Sequence, residues 1–249
     1  PAIAAGLKVP AGVVADGRGR LLVADLDNAR IRAVTPDGKI ATVAGTGVRG
    51  FSGDGGPATA ARLAQPAGVA ADAEGNVYFA DRGNQRVRKV DGRTGLVETI
   101  AGTGVAGYDG DGIPATAARL NGPRGVALDG TGGLLVADGF NHRLRRVDLT
   151  TGLVTTVAGT GAPGDAGDGG PAVAAELGEP VGVAVNPAGD VFVADVASHR
   201  VRRITAGTGL ITTVAGTGRP GFSGDGGRAR EAELREPMGV AVDRDGGLL

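Results

Sequence analysis

Four aspartates, each followed five positions later by an arginine, are the residues most suited to chemistry: Asp25 with Arg30, Asp81 with Arg86, Asp138 with Arg143, Asp195 with Arg200. A carboxylate beside a guanidinium can act as an acid–base or charge-stabilising set, and four sets would make a charge ring. The same pair can instead form a bidentate clasp that ties two strands and their turn. Recurrence at every repeat favours the clasp.

A second aspartate, Asp54, sits in the string GDGG and returns as Asp111, Asp168 and Asp225, each 57 residues after the last. One carboxylate per loop is too few for calcium, which takes six or more oxygens. These aspartates are expected to bind loop N–H groups and to favour the positive end of a following helical turn. The two histidines, His142 and His199, share one repeat position, held elsewhere by Ala29 and Gln85. They are one ligand short of the usual catalytic zinc set. With no cysteine in the chain, thiolate nucleophiles, disulfides and cysteine-based metal sites are excluded. No nucleophile elbow, P-loop or H-E-x-x-H string is present, and the GTG strings open no helix of a βαβ unit. No catalytic residue, metal site or cofactor is therefore assigned.

A residue shared by every repeat serves the repeat, so a specific site is sought where the repeats differ. Phe140 stands where the other repeats carry Asp27, Gly83 and Ala197. Exposed aromatics are enriched at contact surfaces. Arg82, Gln85, Phe140, His142 and His199 outline a candidate binding patch that is expected to lie together and point outward. Phe51, Tyr108 and Phe222 share another position and are expected to pin down the connection that carries them.

The elements that must position these residues follow from the period. Units of 56 or 57 residues contain four short β-compatible runs separated by Gly, Asp and Asn turns; in the second unit these are GVAAD, VYFAD, RVRKV and LVETIAG. Such a period marks stacked or radial repeats, and four short antiparallel strands per unit make the blade of a β-propeller. The fold class expected is all-β. The single domain 1–249 divides into a blade connection (1–9), four blades (10–65, 66–122, 123–179, 180–236) and the start of a fifth (237–249). Val13, Val69, Val126, Val183 and Val240 are expected to be buried on innermost strands. Strand polarity places the second–third turns and the long connections on the same face, the latter as thick loops containing one helical turn at GPATAARL. The chain is expected to be an open arc of a six-bladed ring, with termini that do not pair.

The string P-x-G-V-A-x-D-x-x-G, continued by A-D-x-x-N-x-R, is similar to the NHL repeat across essentially the whole chain. Asp25, Asn28, Arg30 and Ile31 carry it in the first unit; Asp81, Asn84, Arg86 and Val87 in the second; Asp138, Asn141, Arg143 and Leu144 in the third. The fourth has Asp195, Arg200 and Val201, with Ser198 replacing the Asn. The long connections resemble those of bacterial surface proteins and of the teneurin propeller. The resemblance implies a propeller, commonly six-bladed, but no single function.

Twenty-six basic residues oppose 27 acidic ones, leaving no electrostatic footprint for nucleic acid or anionic membrane. No apolar run reaches the length of a membrane span. The expectation is a non-enzymatic binding module of a larger, extracellular or cell-envelope bacterial protein, presenting one face to a protein or glycan. A metal-dependent lyase or hydrolase using His142 and His199, and the sensor domain of a membrane kinase, are the competing readings.

Overall fold

The structure, a computed structural model, describes residues 1–243 and 245–249. The apolar runs are too short and too often broken by glycine for helices, and the chain forms antiparallel sheets of consecutive strands. The first blade holds β1 (Pro10–Ala15), β2 (Leu21–Asp25), β3 (Arg30–Val34) and β4 (Ile40–Ala44). The second holds β5 (Pro66–Ala71), β6 (Val77–Asp81), β7 (Arg86–Val90) and β8 (Val97–Ala101). A two-residue strand, β9 (Ile113–Pro114), belongs to the connection that follows. The third blade holds β10 (Pro123–Leu128), β11 (Gly133–Asp138), β12 (Arg143–Asp148) and β13 (Leu153–Ala158). The fourth holds β14 (Pro180–Val185), β15 (Val191–Asp195), β16 (Arg200–Ile204) and β17 (Ile211–Ala215).

The innermost strands β1, β5, β10 and β14 pack against one another in sequence. Glycine permits the approach. A Cβ added at Gly12, Gly68, Gly125 or Gly182 would overlap a backbone oxygen of the following unit, of Ala67, Arg124, Val181 and Met238 respectively. At Gly239 the same position meets nothing. Leu249 exchanges hydrogen bonds of 2.8 and 2.9 Å with Ala241 in its own unit, not with the first blade. Four blades and the start of a fifth thus form an open arc among the described residues. Val69, Val126 and Val183 are buried as expected. Val13 is not: it is 66% exposed, because among the described residues no blade packs against the face of β1 turned away from β5, and Val240 is only partly buried.

The long connections do not stand as loops on one face. Each runs out along the outer strand of the next blade, whose unpaired edge would otherwise be open to another chain. Gly55 N donates to Val97 O at 2.8 Å, Val97 N to Gly56 O at 3.0 Å and Ala58 N to Gly95 O at 2.9 Å. Equivalent bonds join Gly112 to Val154 and Gly169 to Ile211, and β9 is the segment of this edge cover that pairs with β13. Ala2 N makes the same contact with Gly38 O in the first blade. The helical turn is a single 3-10 turn (Ala58–Ala60 in the first connection) with Pro57 at its N-cap.

The expected Asp–Arg clasps are displaced by two residues. Asp25, Asp81 and Asp138 are fully buried and face Arg32, Arg88 and Arg145 at 3.8, 3.7 and 4.0 Å. Arg30, Arg86, Arg143 and Arg200 instead donate to the carbonyls of Thr46, Thr103, Thr160 and Thr217. Phe51 and Tyr108 stack on Arg86 and Arg143 at 3.8 Å, and so do pin their connections. Asp165, at the same repeat position, pairs directly with Arg200. Phe222 has no arginine against it among the described residues and is 88% exposed.

The GDGG aspartates also bind differently from expectation. Asp54 accepts from Arg88 at 2.6 and 3.1 Å and from the Thr99 hydroxyl at 2.6 Å. Asp111 takes Arg145 and Thr156, and Asp168 takes Arg202 and the Thr213 N–H. Arg88, Arg145 and Arg202 have no exposure at all. A guanidinium removed from water needs a carboxylate, and here the one in closest contact comes from the preceding connection. Asp54→Asn is therefore expected to cost about 1–3 kcal/mol in urea unfolding. Asp225→Asn, where no arginine is paired among the described residues, should cost under about 0.5 kcal/mol. Equal costs would overturn this account of the buried arginine.

Burial pushes Asp81 and Asp138 up to about 6, against N–H bonds from Ala64 and Asn121, the amides of Asn84 and Asn141, and the arginine charges, which all pull the other way. With the folded value above the unfolded 3.8, this stabilising effect is complete below about pH 4 and lost by about pH 6. The stability difference between wild type and Asp138→Asn should therefore shift against wild type as pH rises from about 4 to 6 and stay level above. Unfolding titrations of both proteins across that range provide the check.

Candidate functional site

The second–third turns hold the candidate residues, and each turn is built in the same way. Asp81 accepts from Ala64 N at 2.7 Å and from Asn84 Nδ2 at 2.8 Å, while Asn84 also donates to Gly50 O. Asp138 and Asn141 repeat the set with Asn121 N and Gly107 O. The turn is thereby fastened to both ends of the preceding connection. In the fourth blade Ser198 cannot reach the carboxylate as Asn does, and Asp195 accepts a second backbone N–H, from Gly178 as well as Glu179.

Each turn ends on a residue in the left-handed region: Ala29, Gln85, His142 and His199, with φ from 50 to 55°. Three of these side chains reach the entry of the next unit. Gln85 Oε1 accepts from Gly122 N at 2.6 Å, His142 Nδ1 donates to Gly178 O at 2.6 Å and His199 Nδ1 accepts from Glu236 N at 3.2 Å. Gln85 and both histidines therefore tie their turns to the end of the connection that leads into the next blade and are not free outward-pointing groups. They also do not converge, since each sits at a different inter-blade junction. The two imidazoles thus use the same nitrogen in opposite roles, Nδ1 of His142 as a donor and Nδ1 of His199 as an acceptor. No group of three His, Cys, Asp or Glu arranged to hold a metal occurs among the described residues.

Arg82 and Phe140 do meet. Their turns belong to the second and third blades, and the Arg82 guanidinium lies 5.8 Å from the ring centre. Arg124 from β10 lies 5.4 Å from the same ring and is ion-paired with Glu179, just before β14. The ring sits over Gly122, where any Cβ would strike it. Phe140 remains 46% exposed. Burial, and then the charge of Arg124, pull Arg82 below its ordinary value, while Glu179 opposes them. No carboxylate lies within ion-pair distance of Arg82 among the described residues. The result is a half-exposed aromatic beside two guanidiniums and one carboxylate.

Arg124 and Glu179 escaped the sequence reading, although a signal was present. The second position of P-x-G-V runs Ala11, Ala67, Arg124, Val181, Met238, and the residue before the proline runs Val9, Gln65, Gly122, Glu179, Glu236. Arg124 is the one charge at an innermost-strand position that the fold fills with small or apolar residues.

Residues 47–109 match the family model of the teneurin NHL domain, and residues 120–146 and 177–204 match the NHL repeat. The chain is 29% identical to Protein SUPPRESSOR OF QUENCHING 1, chloroplastic, of Arabidopsis thaliana, over 96% of its own length and 23% of that protein's. It is 33% identical to NHL repeat-containing protein 2 of Bos taurus, over 61% of its length and 22% of that protein's. It thus spans less than a quarter of the length of these relatives. An auxiliary nutrient binding protein from Bacteroides ovatus has a similar structure, with TM-score 0.66, 17% identity, and 97% of this chain against 56% of that one. The corresponding figures are 0.63, 14%, 96% and 70% for a chain of the nidogen/laminin complex. For a streptogramin B lyase they are 0.58, 16%, 95% and 74%. At these identities the structural likeness speaks for the fold alone. The fold seen here, the Asp-x-x-Asn-x-Arg turns and the matches to both repeat models together show a β-propeller that carries NHL repeats at residues 120–146 and 177–204 and resembles the teneurin NHL domain over residues 47–109.

Proposed function

We propose that this propeller is a non-enzymatic interaction module that binds a protein partner over the second–third turns of its second and third blades. The observation that carries the reading is Phe140, an aromatic the repeat does not require, left half exposed and held between turns that the buried aspartates fix. Arginine and aromatic residues are the types that dominate binding hot spots, and a fixed backbone beneath them lowers the ordering cost on association. The likeness to the nidogen/laminin chain is in keeping with this use of the fold. The lyase reading lacks a carrier, since His142 and His199 hold separate inter-blade junctions through Nδ1. An extracellular or envelope setting and a bacterial source remain part of the proposal, and fractionation of cells producing the whole protein checks the setting.

Peptides enriched by display selection against the protein provide the direct test. Phe140→Ser should weaken their binding by about ten-fold or more. Val105→Ser, on an exposed position of the connection, should leave it unchanged. Equal effects, or none from Phe140, would reject the assignment.

A further inference from the structure

The patch is electrostatically unbalanced in a way that specifies its ligand. Arg124 has Glu179, but Glu179 takes a single hydrogen bond from it, through Nη2, and Arg124 Nε is buried without a partner. The Arg82 side chain donates no hydrogen bond to the described residues, although its guanidinium is held against Phe140. Two cations share one carboxylate, leaving a formal excess of one positive charge. A planar fork of free N–H donors, with a second guanidinium nearby, matches a carboxylate in charge and geometry.

We infer that this patch binds an acidic side chain, Asp or Glu, presented by an extended segment of a partner protein, with the flanking apolar atoms of that segment lying on Phe140. The inference rests on the reading of this face as a binding surface and names what the surface recognises. A single carboxylate neutralises the excess charge. A phosphate dianion overshoots it and is repelled by Glu179. A polynucleotide needs a run of cations along its backbone, which a chain with 26 basic and 27 acidic residues and no basic stripe does not offer. The open, half-exposed ring suits a side chain delivered by a larger partner, because a small free acid would be left largely in water. Glu179 acts as an internal competitor: it occupies Arg124 in the free protein and holds part of the donor set that the incoming carboxylate would share.

The test uses the whole chain and capped peptides of one scaffold, Ac-Ala-Leu-Glu-Leu-Ala-NH2, its Gln and phosphoserine counterparts, a neutral version with a free C-terminal carboxylate, and oligouridylate. The readouts are the side-chain Nε–H resonances of Arg82 and Arg124 and the Phe140 ring protons. The Glu peptide is expected to shift all three, the Gln peptide to bind at least about ten-fold more weakly, and Glu179→Gln to tighten the Glu peptide several-fold. Arg82→Ala should abolish most of the binding, and Arg82→Lys, which keeps the charge but not the fork, should recover only part of it. Unchanged melting of both variants shows that folding is not the cause. Equal binding of Glu and Gln peptides would overturn the inference while leaving the binding face in place. Preference for the phosphoserine peptide, the free C-terminus or oligouridylate would overturn it in favour of that ligand. No shift from any probe would overturn both the inference and the reading beneath it.

Discussion

The buried guanidinium of Arg88, with its counterparts Arg145 and Arg202, is the interaction on which the rest of this structure depends. It joins two pieces of chain: Asp81, at the end of its own blade's second strand, and the preceding connection, through Asp54 and the carbonyls of Ser52 and Arg62. An arginine so enclosed is stabilising only if carboxylates and carbonyls replace its water. That requirement draws the connection onto the outer part of the next blade, and with it the segment that covers the edge strand. The same aspartate, Asp81 or Asp138, then fixes the turn on which Arg82 or Phe140 stands. The candidate site is therefore held by the scaffold's own electrostatics and not by loops free to move.

The repeats also show how one backbone accepts different chemistry. Where Phe51 and Tyr108 stack on an arginine, Asp165 forms an ion pair with the equivalent Arg200. Where Gln85 receives an N–H from the end of the connection that follows it, His142 donates to a carbonyl at the equivalent place. These exchanges keep a contact while changing its polarity. Arg82, Arg124 and Phe140 are different in kind: between the second and third blades each occupies a repeat position that the other blade fills with Gly139, Ala67 and Gly83 respectively, so the patch comes from substitutions that add a large side chain in one blade only of that pair.

Much of the fold was legible in the sequence because it follows from local rules. Turn residues at a fixed period and short β-branched runs determine four strands per unit, and Gly beside Val determines the innermost one. The pairing of charges was not legible. Asp81 and Arg86 are partners in the strand register, which makes them the natural pair, but Arg86 is drawn to Thr103 O and the Phe51 ring, leaving the carboxylate to Arg88. That choice depends on where a connection from another unit lies. Phe140 was identified because its position varies. Arg124 was overlooked because it lies within a strand, where variation is easily read as packing. That Gln85 and the histidines each reach a separate stretch of backbone was not legible, because a left-handed turn residue gives no sign of which backbone its side chain will reach.

The reach of these contacts along the chain has a consequence for how the protein is made. Asp54 and Arg88 are 34 residues apart, and so are Asp111 and Arg145. Each connection therefore leaves the ribosome before the blade it will clasp, and its aspartate remains in water until the matching arginine emerges. The contacts are of a kind that lets each completed blade take up the segment synthesised just before it. Because each unit interacts mainly with its neighbours, the nascent protein can bank structure unit by unit during synthesis, without waiting for its last residue.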